Sequence, residues 1–288
     1  MSGVRIVTDS ACDLSPELAG RHRISVVPLT IRFGDEELVD RQDLSPAEFW
    51  RRCRSATQLP TTAAPSPGAF AAAFEAAAED ADGVLCLTIS SLLSATYQSA
   101  LAAAEHPLGV PVQVLDTRTV TVGQALLALS AADAADEGRS LPEIVARLED
   151  EMARTEVIGV VDTLDHLQRG GRIGGARALL GSMLSIKPVI AVREGVVAQE
   201  SRQRTRARSL QYLADKVRAA GPLVRLAVAD GNAPDIGVLL SMLEPVQVEH
   251  EMVVVDLGPV VGSHAGPGTV GVCYQRPSAG PGATSLRP

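Results

Sequence analysis

The chain has 288 residues, of which 46% are apolar and 21% are charged, a balance typical of soluble globular proteins and unlike that of disordered chains. Its 34 acidic and 26 basic residues give a net charge of −8, which argues against a nucleic-acid or other polyanion binder. Aromatic residues make up only 3%, too few for the stacking surfaces of single-strand binders.

The cysteines and the first residues favour a reducing, cytoplasmic setting. Cys12, Cys53, Cys86 and Cys273 lie far apart and form no CxxC pair, so the sequence indicates neither a zinc site nor a redox dithiol. The opening MSGVRIVTDS has no basic region followed by a long apolar stretch. We therefore expect no secretion signal and a cytoplasmic protein.

The first half of the chain alternates short β-branched runs with helical patterns. Strands are predicted at 4–8, 24–33, 84–89, 112–115 and 157–162, and helices at 15–21, 45–54, 67–81, 94–105, 123–137 and 142–154. Pro28 interrupts the second strand region and suggests an edge or a bulge there. Such alternation predicts a mainly parallel sheet covered on both faces.

One segment, 83–104, has the length of a membrane span and no charge. Its interior holds many hydroxyl and amide side chains, and its pattern divides into a strand and a helix. We therefore expect no stable membrane insertion.

After about residue 155 the pattern changes to hairpins mixed with helices. The segment 164–183 is helical in pattern but broken by glycines. Further strands are predicted at 186–192, 196–200, 225–229, 246–255 and 270–274, and helices at 202–219 and 234–243. We predict two α/β domains, 1–155 with a mainly parallel sheet and 156–276 with a mixed one, followed by a tail at 277–288 whose Pro, Gly, Ser and Ala content predicts disorder.

Several catalytic and cofactor motifs are absent from the sequence. It contains no GxSxG, GxxxxGK[ST] or HExxH, which weakens hydrolase, P-loop and zinc-protease hypotheses. GPGTVG at 266–271 fits GxGxxG, but no helix or acidic residue follows at the required distance. The five histidines show no metal-ligand spacing. We expect neither a metal nor a cofactor.

Hydroxyl and glycine residues recur instead in five clusters, TDS at 8–10, TTAAPS at 61–66, ISSLLSATY at 89–97, GGRIGG at 170–175 and GSHAGPG at 262–268. The first three are expected at the carboxyl ends of strands, where open α/β sheets bind ligands. Hydroxyls and loop amides suit an anion, and Arg172 would add a charged contact.

Structural roles are the alternative for these residues. Asp9, Ser10 and Ser94 can cap helices, and Thr62 can form a local hydroxyl turn. Arg172 and His264 can be an ordinary ion pair and a structural histidine.

These clusters, together with VVPLTIRFGDEELVD, VLDTRTV and DTLDHLQRGGRIGGARALLGSMLSIKPVI, resemble the DegV family of bacterial fatty acid-binding proteins over about residues 4–274. The resemblance implies two α/β domains with a lipid tunnel between them, holding the carboxylate at its polar end. It also implies a partner, a dihydroxyacetone kinase-like fatty acid kinase that phosphorylates the carboxylate with ATP to give an acyl phosphate for phospholipid synthesis.

The resemblance maps the fatty acid-binding contacts onto four residues, Thr62, Ser94, Arg172 and His264. The family usually has Thr-Ser-Gln-Pro where this chain has Thr-Ala-Ala-Pro at 62–65, and Ser-Gly-Thr where it has Ser-Ala-Thr at 94–96. Two polar side chains are thus absent near the expected head group.

The sequence leaves two other functions open. A serine hydrolase would use Ser94 or Ser91 as nucleophile and His264 as base, but the strand-turn-helix motif that exposes such a serine is absent. A lipid sensor without a kinase partner would need the same binding site.

A basic segment at 201–209 is the candidate surface for docking the kinase. Arg202, Arg204, Arg206 and Arg208 alternate there, and in the predicted helix the pairs 202/206 and 204/208 would form two adjacent basic stripes. The alternative is a solvated helix face.

Overall fold

The computed structural model describes residues 3–56 and 58–278. Its strands are β1 (Gly3–Asp9), β2 (Ile24–Val27), β3 (Thr30–Phe33), β4 (Glu36–Val39), β5 (Thr61–Ala63), β6 (Ala81–Thr88), β7 (Val112–Asp116), β8 (Thr155–Val160), β9 (Lys187–Arg193), β10 (Val196–Gln203), β11 (Arg225–Asp230), β12 (Val253–Asp256) and β13 (Val270–Gln275). Its α-helices are α1 (Pro16–Arg21), α2 (Pro46–Ser55), α3 (Pro67–Ala78), α4 (Thr96–Ala104), α5 (Val122–Asp136), α6 (Leu141–Arg154), α7 (Asp165–Arg169), α8 (Arg206–Ala219), α9 (Ile236–Leu243) and α10 (Pro259–Ala265). Two 3-10 helices span Ser10–Cys12 and Gly174–Ser185.

A serine followed by proline starts three helices of the first half. Ser15, Ser45 and Ser66 each accept a hydrogen bond from the backbone N–H three residues on, and proline fills the next position. The serine side chain pairs one of the free N–H groups of the first turn, and proline has no N–H to leave unpaired, so a Ser-Pro pair favours the start of a helix. These starts agree with the sequence prediction to within one or two residues.

The first sheet is parallel throughout, as predicted, with strand order β2-β1-β6-β7. Its central strand β6 is buried along almost its whole length, which explains its nearly continuous apolar sequence. The second sheet is mixed, as predicted, with order β10-β9-β8-β13-β11-β12. In it only the β11/β12 pair is parallel.

A third, three-stranded antiparallel sheet of order β4-β3-β5 is not foreseen by the sequence analysis. Pro28 lies between β2 and β3 and divides them between two sheets, because it cannot donate to a ladder. The TTAAPS cluster therefore begins in β5, where Thr62 pairs with Ile31, and the prediction that it follows a strand of the parallel sheet is wrong.

Two other predictions need correction, those for 164–183 and 246–255. The segment 164–183 forms α7 and a 3-10 helix, since Gly171 and Gly174 take positive φ values of 71° and 47° that an α-helix does not allow. Strand 246–255 shortens to β12. The predicted tail lies outside the described residues from 279 onward.

The predicted helix at 202–219 begins only at Arg206. Thr205 caps α8 by accepting the Arg208 N–H at 3.2 Å, and Arg202 belongs to β10. Because a strand and a turn precede the helix, the two predicted arginine stripes do not form.

Helix α5 connects the two large sheets. Nearly all of its residues are buried, and it packs against β1 and β6 on one side and β8, β11 and β13 on the other. One apolar cluster consequently runs from Ile6 and Leu85 in the parallel sheet to Val157 and Cys273 in the mixed sheet. The division into domains at residue 155 stays a prediction.

The Asp13 carboxylate, fully buried, joins distant parts of the chain. It accepts hydrogen bonds from the Thr121 hydroxyl at 2.6 Å and the Gly258 N–H at 2.9 Å, and it pairs with Arg41 at 3.3 Å. Arg41 also donates to the carbonyl of Asp256 at 3.2 Å. These bonds fix the segment that leads into α10.

Within the described residues no helix is both long enough and apolar enough to cross a membrane.

Helix α10 lies against the aromatic pair of α2. A Cβ atom at Gly262 would come within 2.7 Å of Phe49 and 2.8 Å of Trp50, and both rings are buried. The absence of a side chain at this position lets the helix approach the rings closely.

We expect Gly262→Ala to lower the free energy of unfolding by about 1–3 kcal/mol, because the added methyl overpacks the core. Urea denaturation followed by circular dichroism measures this. Gly237→Ala in α9 is the matched control, since a Cβ there meets nothing within 4 Å and alanine favours a helix by about 0.5–1 kcal/mol. Equal effects of the two substitutions would contradict this account of the α2/α10 contact.

Candidate functional site

A cavity lies between the mixed sheet and the loops at the carboxyl end of the parallel sheet. Its empty volume is about 870 Å³ including the part open to solvent. We call it the first cavity. Its lining is mostly apolar and includes Ile89, Val157, Ile190, Val192 and Leu257.

Thr62, Ser94, Arg172 and His264, the four predicted site residues, all line this cavity. They come from β5, the loop after β6, the segment after α7 and helix α10. The structure therefore brings together residues up to 202 positions apart in the chain. Their role in ligand binding stays a prediction.

His264 and Thr62 form the hydrogen bond that closes this polar group. His264 Nε2 lies 3.0 Å from Thr62 Oγ1, while His264 Nδ1 is buried without a hydrogen-bond partner. Because a buried N–H without an acceptor is rarer in proteins than a buried acceptor without a donor, we assign the proton to Nε2. Nε2–H then donates to Thr62, and the Thr62 hydroxyl hydrogen points elsewhere.

Burial keeps the His264 imidazole neutral. It lowers the pKa of His264 to about 4, and the positive charge of Arg172 and the neighbouring His166 add to the effect. Gly170 stands directly against the ring, since any Cβ there would overlap Nδ1. The first glycine of GGRIGG thus makes room for the histidine.

Arg172 ties two loops together. Its Nε donates to the Leu93 carbonyl at 3.0 Å and one terminal nitrogen donates to the Gly170 carbonyl at 2.7 Å. The guanidinium is thereby held next to Ser94. A fork of donors fixed in this way supplies a charge-assisted contact for an anion.

Ser94 and Ser91 are both engaged away from the histidine. Ser94 Oγ lies 2.8 Å from Thr96 Oγ1 and accepts the Thr96 N–H at 3.3 Å. Ser91 Oγ donates to Asp116 at 2.5 Å. A nucleophile and its base need a direct hydrogen bond, so this geometry does not favour a serine hydrolase.

The predicted structural alternatives have mixed outcomes. Asp9 caps the 3-10 helix through the Ala11 N–H at 3.0 Å, and also accepts the Ile89 N–H at 2.8 Å. Ser10 lies inside that 3-10 helix rather than at its cap. Ser94 bonds locally, but the N-cap of α4 is Ala95.

Two further hydroxyl residues line the cavity, Thr121 and Thr269, and the sequence does not predict them. Thr121 donates to Asp13, and Thr269 donates to the Ala265 and Gly266 carbonyls at 3.0 and 2.8 Å. The missed apolar wall residues Gly159 and Gly271 lie on neighbouring strands and leave space on the sheet face. Only strand pairing identifies them, and no local motif marks them.

The candidate docking arginines have different surroundings. Arg206 forms a bidentate pair with Asp235 at 2.9 and 3.0 Å, and Arg202 donates to the Ala178 carbonyl at 3.2 Å. Arg204 is exposed in the turn before α8. The carboxylate of Asp235 therefore neutralises much of the positive charge of Arg206.

Among the described residues no group of three or more His, Cys, Asp or Glu side chains is placed to hold a metal ion. The GPGTVG segment leads into β13 rather than a helix, which agrees with its rejection as a dinucleotide motif.

A parallel sheet, a mixed sheet and an apolar cavity with one polar end define an α/β protein with an internal cavity. The chain belongs to the DegV family. A family model described as "Uncharacterised protein, DegV family" matches residues 3–276. A DegV domain-containing protein of Deinococcus radiodurans is 40% identical, and the match covers 96% of this chain and 99% of that protein.

Solved structures of similar fold carry descriptions of fatty acid binding. A DegV family protein from Thermus thermophilus described in terms of fatty acid binding has a TM-score of 0.88 and 36% identity, covering 96% of this chain and all of its own. DegV of Bacillus subtilis, described as a fatty acid binding protein, has a TM-score of 0.84 and 28% identity with the same coverage. A stearic acid-binding protein from Eubacterium ventriosum has a TM-score of 0.82 and 28% identity, covering 96% and 98%.

The low pKa of His264 predicts a specific pH dependence of stability. Between about pH 4 and its ordinary value of 6.5 the unfolded chain binds a proton that the folded chain does not. The free energy of unfolding should therefore fall as the pH falls through this window, by up to about 3 kcal/mol. Urea denaturation of wild type and His264→Gln at several pH values measures the part that belongs to His264.

His106→Gln, which replaces an exposed histidine, is the matched control and should keep the wild-type pH dependence. If His264→Gln keeps it as well, then His264 is not buried in the neutral form.

Proposed function

We propose that this protein binds a long-chain fatty acid in the first cavity and, in the cytoplasm, presents it to a fatty acid kinase. The observation that carries the proposal is the distribution of polarity in that cavity. Thr62, Ser94, Arg172 and His264 share its lining with a largely apolar remainder. A fatty acid has the same distribution, one anionic end and a long hydrocarbon. The descriptions of similar DegV structures support the choice.

Burial of the acyl chain supplies the affinity. About 15 methylene groups at roughly 0.8 kcal/mol each give an upper bound near 12 kcal/mol before the entropy costs of binding. The apolar walls from β8, β9 and β13 would receive this chain.

The polar end would neutralise the carboxylate. Arg172 contributes a positive charge, and the Thr62 hydroxyl hydrogen, released by the assigned His264 tautomer, is available to donate. Ser94 adds a second hydroxyl. Since Ala63, Ala64 and Ala95 replace the family's usual residues, we expect these four side chains to carry most of the carboxylate contacts.

Organic extraction of the purified protein is expected to release about one long-chain fatty acid per chain, identified by mass spectrometry. Arg172→Ala is expected to weaken binding of an added fatty acid by about 10- to 100-fold, because a charge-assisted contact contributes about 1.5–3 kcal/mol.

Arg169→Ala is the matched control, since it removes an exposed arginine three residues away and should leave affinity unchanged. A well-folded wild-type protein that neither releases nor binds fatty acid would refute the proposal. Equal affinity of wild type and Arg172→Ala would remove Arg172 from the carboxylate site.

Presentation to a kinase requires the head group to lie near the surface. The four polar residues are only partly buried, and Thr61, Ala95 and Gly171 beside them are exposed. A phosphate donor held by a second protein can therefore approach this end of the cavity.

The exposed Arg202 and Arg204 are our candidates for docking. Arg202 is bonded to Ala178 in the 3-10 helix that follows GGRIGG, and Arg204 lies two residues further on. The sequence alone groups Arg206 with them. Its bidentate pair with Asp235 makes it a structural residue, and its reversal to Glu would bring carboxylates together.

The double substitution Arg202→Glu and Arg204→Glu is expected to leave fatty acid affinity unchanged and to slow acyl phosphate formation by the kinase, with added salt reproducing the defect in wild type. Arg21→Glu with Arg139→Glu is the control, because it makes the same charge change at exposed positions elsewhere. The ion pairs of these two arginines with Glu17, Glu137 and Glu143 are solvent-exposed, unlike that of Arg206, and contribute little to stability.

If the two double variants react equally fast, this surface is not the docking site. If the wild type binds fatty acid but the kinase forms no acyl phosphate, presentation is refuted and a sensor role is favoured.

A further inference from the structure

A second cavity adjoins the first at its apolar end. Its empty volume is about 1410 Å³ including open solvent, and it lies between helices α5 and α6, the loop at 117–119 and the β9/β10 hairpin. Leu127, Met152, Val192 and Val196 give it an apolar floor. Charged residues such as Glu156 and Arg193 also line it.

Val192 lines both cavities. In two other segments, one residue lines the first cavity and its neighbour in the chain lines the second. Thr119 lines the second cavity and Val120 the first, while Glu156 lines the second and Val157 the first. Val157 and Val192 are also paired across β8 and β9. A single layer of side chains therefore separates the two spaces.

Helix α5 packs tightly against part of this layer of side chains. A Cβ at Gly123 would overlap both Thr119 and Val157, so the backbone of α5 is in direct contact with these two residues. The Thr119 hydroxyl oxygen is buried without a hydrogen-bond partner. Val192 is only partly buried. Of Thr119, Val157 and Val192, it is therefore the residue whose side chain can be replaced with the least disturbance of the packing.

We propose that Val192 sets the longest acyl chain that the first cavity holds, and that the second cavity receives the methyl end of longer chains when this side chain is made smaller. The proposal rests on the fatty acid site described above. An acyl chain whose carboxylate lies at Arg172 would extend along the sheet face from Gly159 to Val157 and meet Val192 at the end. Beyond Val192, the apolar residues Leu127 and Met152 offer contacts for hydrocarbon.

The test is the affinity of wild type and variants for saturated fatty acids of about 14 to about 22 carbons. Each buried methylene strengthens binding by about fourfold, so wild-type affinity should rise with length and then level off where the chain reaches Val192. In Val192→Ala the rise should continue for about two more carbons, giving about 15-fold tighter binding of the longer acids than in wild type. In Val192→Leu, which keeps a bulky apolar side chain, affinity should level off earlier.

Val197→Ala is the matched control, because Val197 pairs with Val192 but lines only the first cavity. It should not change the limiting length. If Val192→Ala levels off at the wild-type length, or if Val197→Ala shifts the limit equally, the inference is wrong while the proposed function stands. If wild type binds no fatty acid of any length, both fail.

Discussion

The buried carboxylate of Asp13 is the interaction on which the site depends. It lies at the end of the first strand and loop, yet its partners Thr121 and Gly258 belong to the start of α5 and the start of α10. Arg41 supplies the opposite charge that such a buried carboxylate requires. Thr121 has a φ of 51°, rare for a β-branched residue, and its bond to Asp13 holds this conformation. Together with the packing of α10 on Phe49 and Trp50, these bonds position the helix that carries His264.

The same constraint explains why the polar end is made from so many segments. Each contributing loop is held by bonds that also serve the fold, such as those of Arg172 to Leu93 and Gly170. Ser90 joins this arrangement by donating to the Gly195 carbonyl at 2.7 Å, which fixes the loop of Ser94 to the β9/β10 hairpin. The side chains that face the cavity are therefore preorganised before any ligand arrives.

Much of the architecture could be predicted from the sequence, because alternating strands and Ser-Pro helix starts are local signals. The parallel and mixed sheets follow from them. The small third sheet could not be predicted, since β5 is only three residues long and gains its partner through tertiary contacts. The late start of α8 is similar, because Arg202 and Arg204 suit a helix as well as the strand and turn they occupy. Residue clusters with a family resemblance located the polar end, whereas the apolar wall depends on strand register that no motif encodes.

The neutrality of His264 determines the charge that the first cavity can accommodate. Among its described lining residues, Arg172 is the one whose side chain is charged at neutral pH. The single positive charge of Arg172 then balances the single negative charge of a monoanionic ligand. A head group with a second negative charge would leave one charge without a counterion in a partly desolvated site, which is strongly unfavourable. If the proposed kinase converts a bound carboxylate into an acyl phosphate, the added negative charge would weaken binding of the product, and the charge balance that favours the carboxylate would favour release of the acyl phosphate.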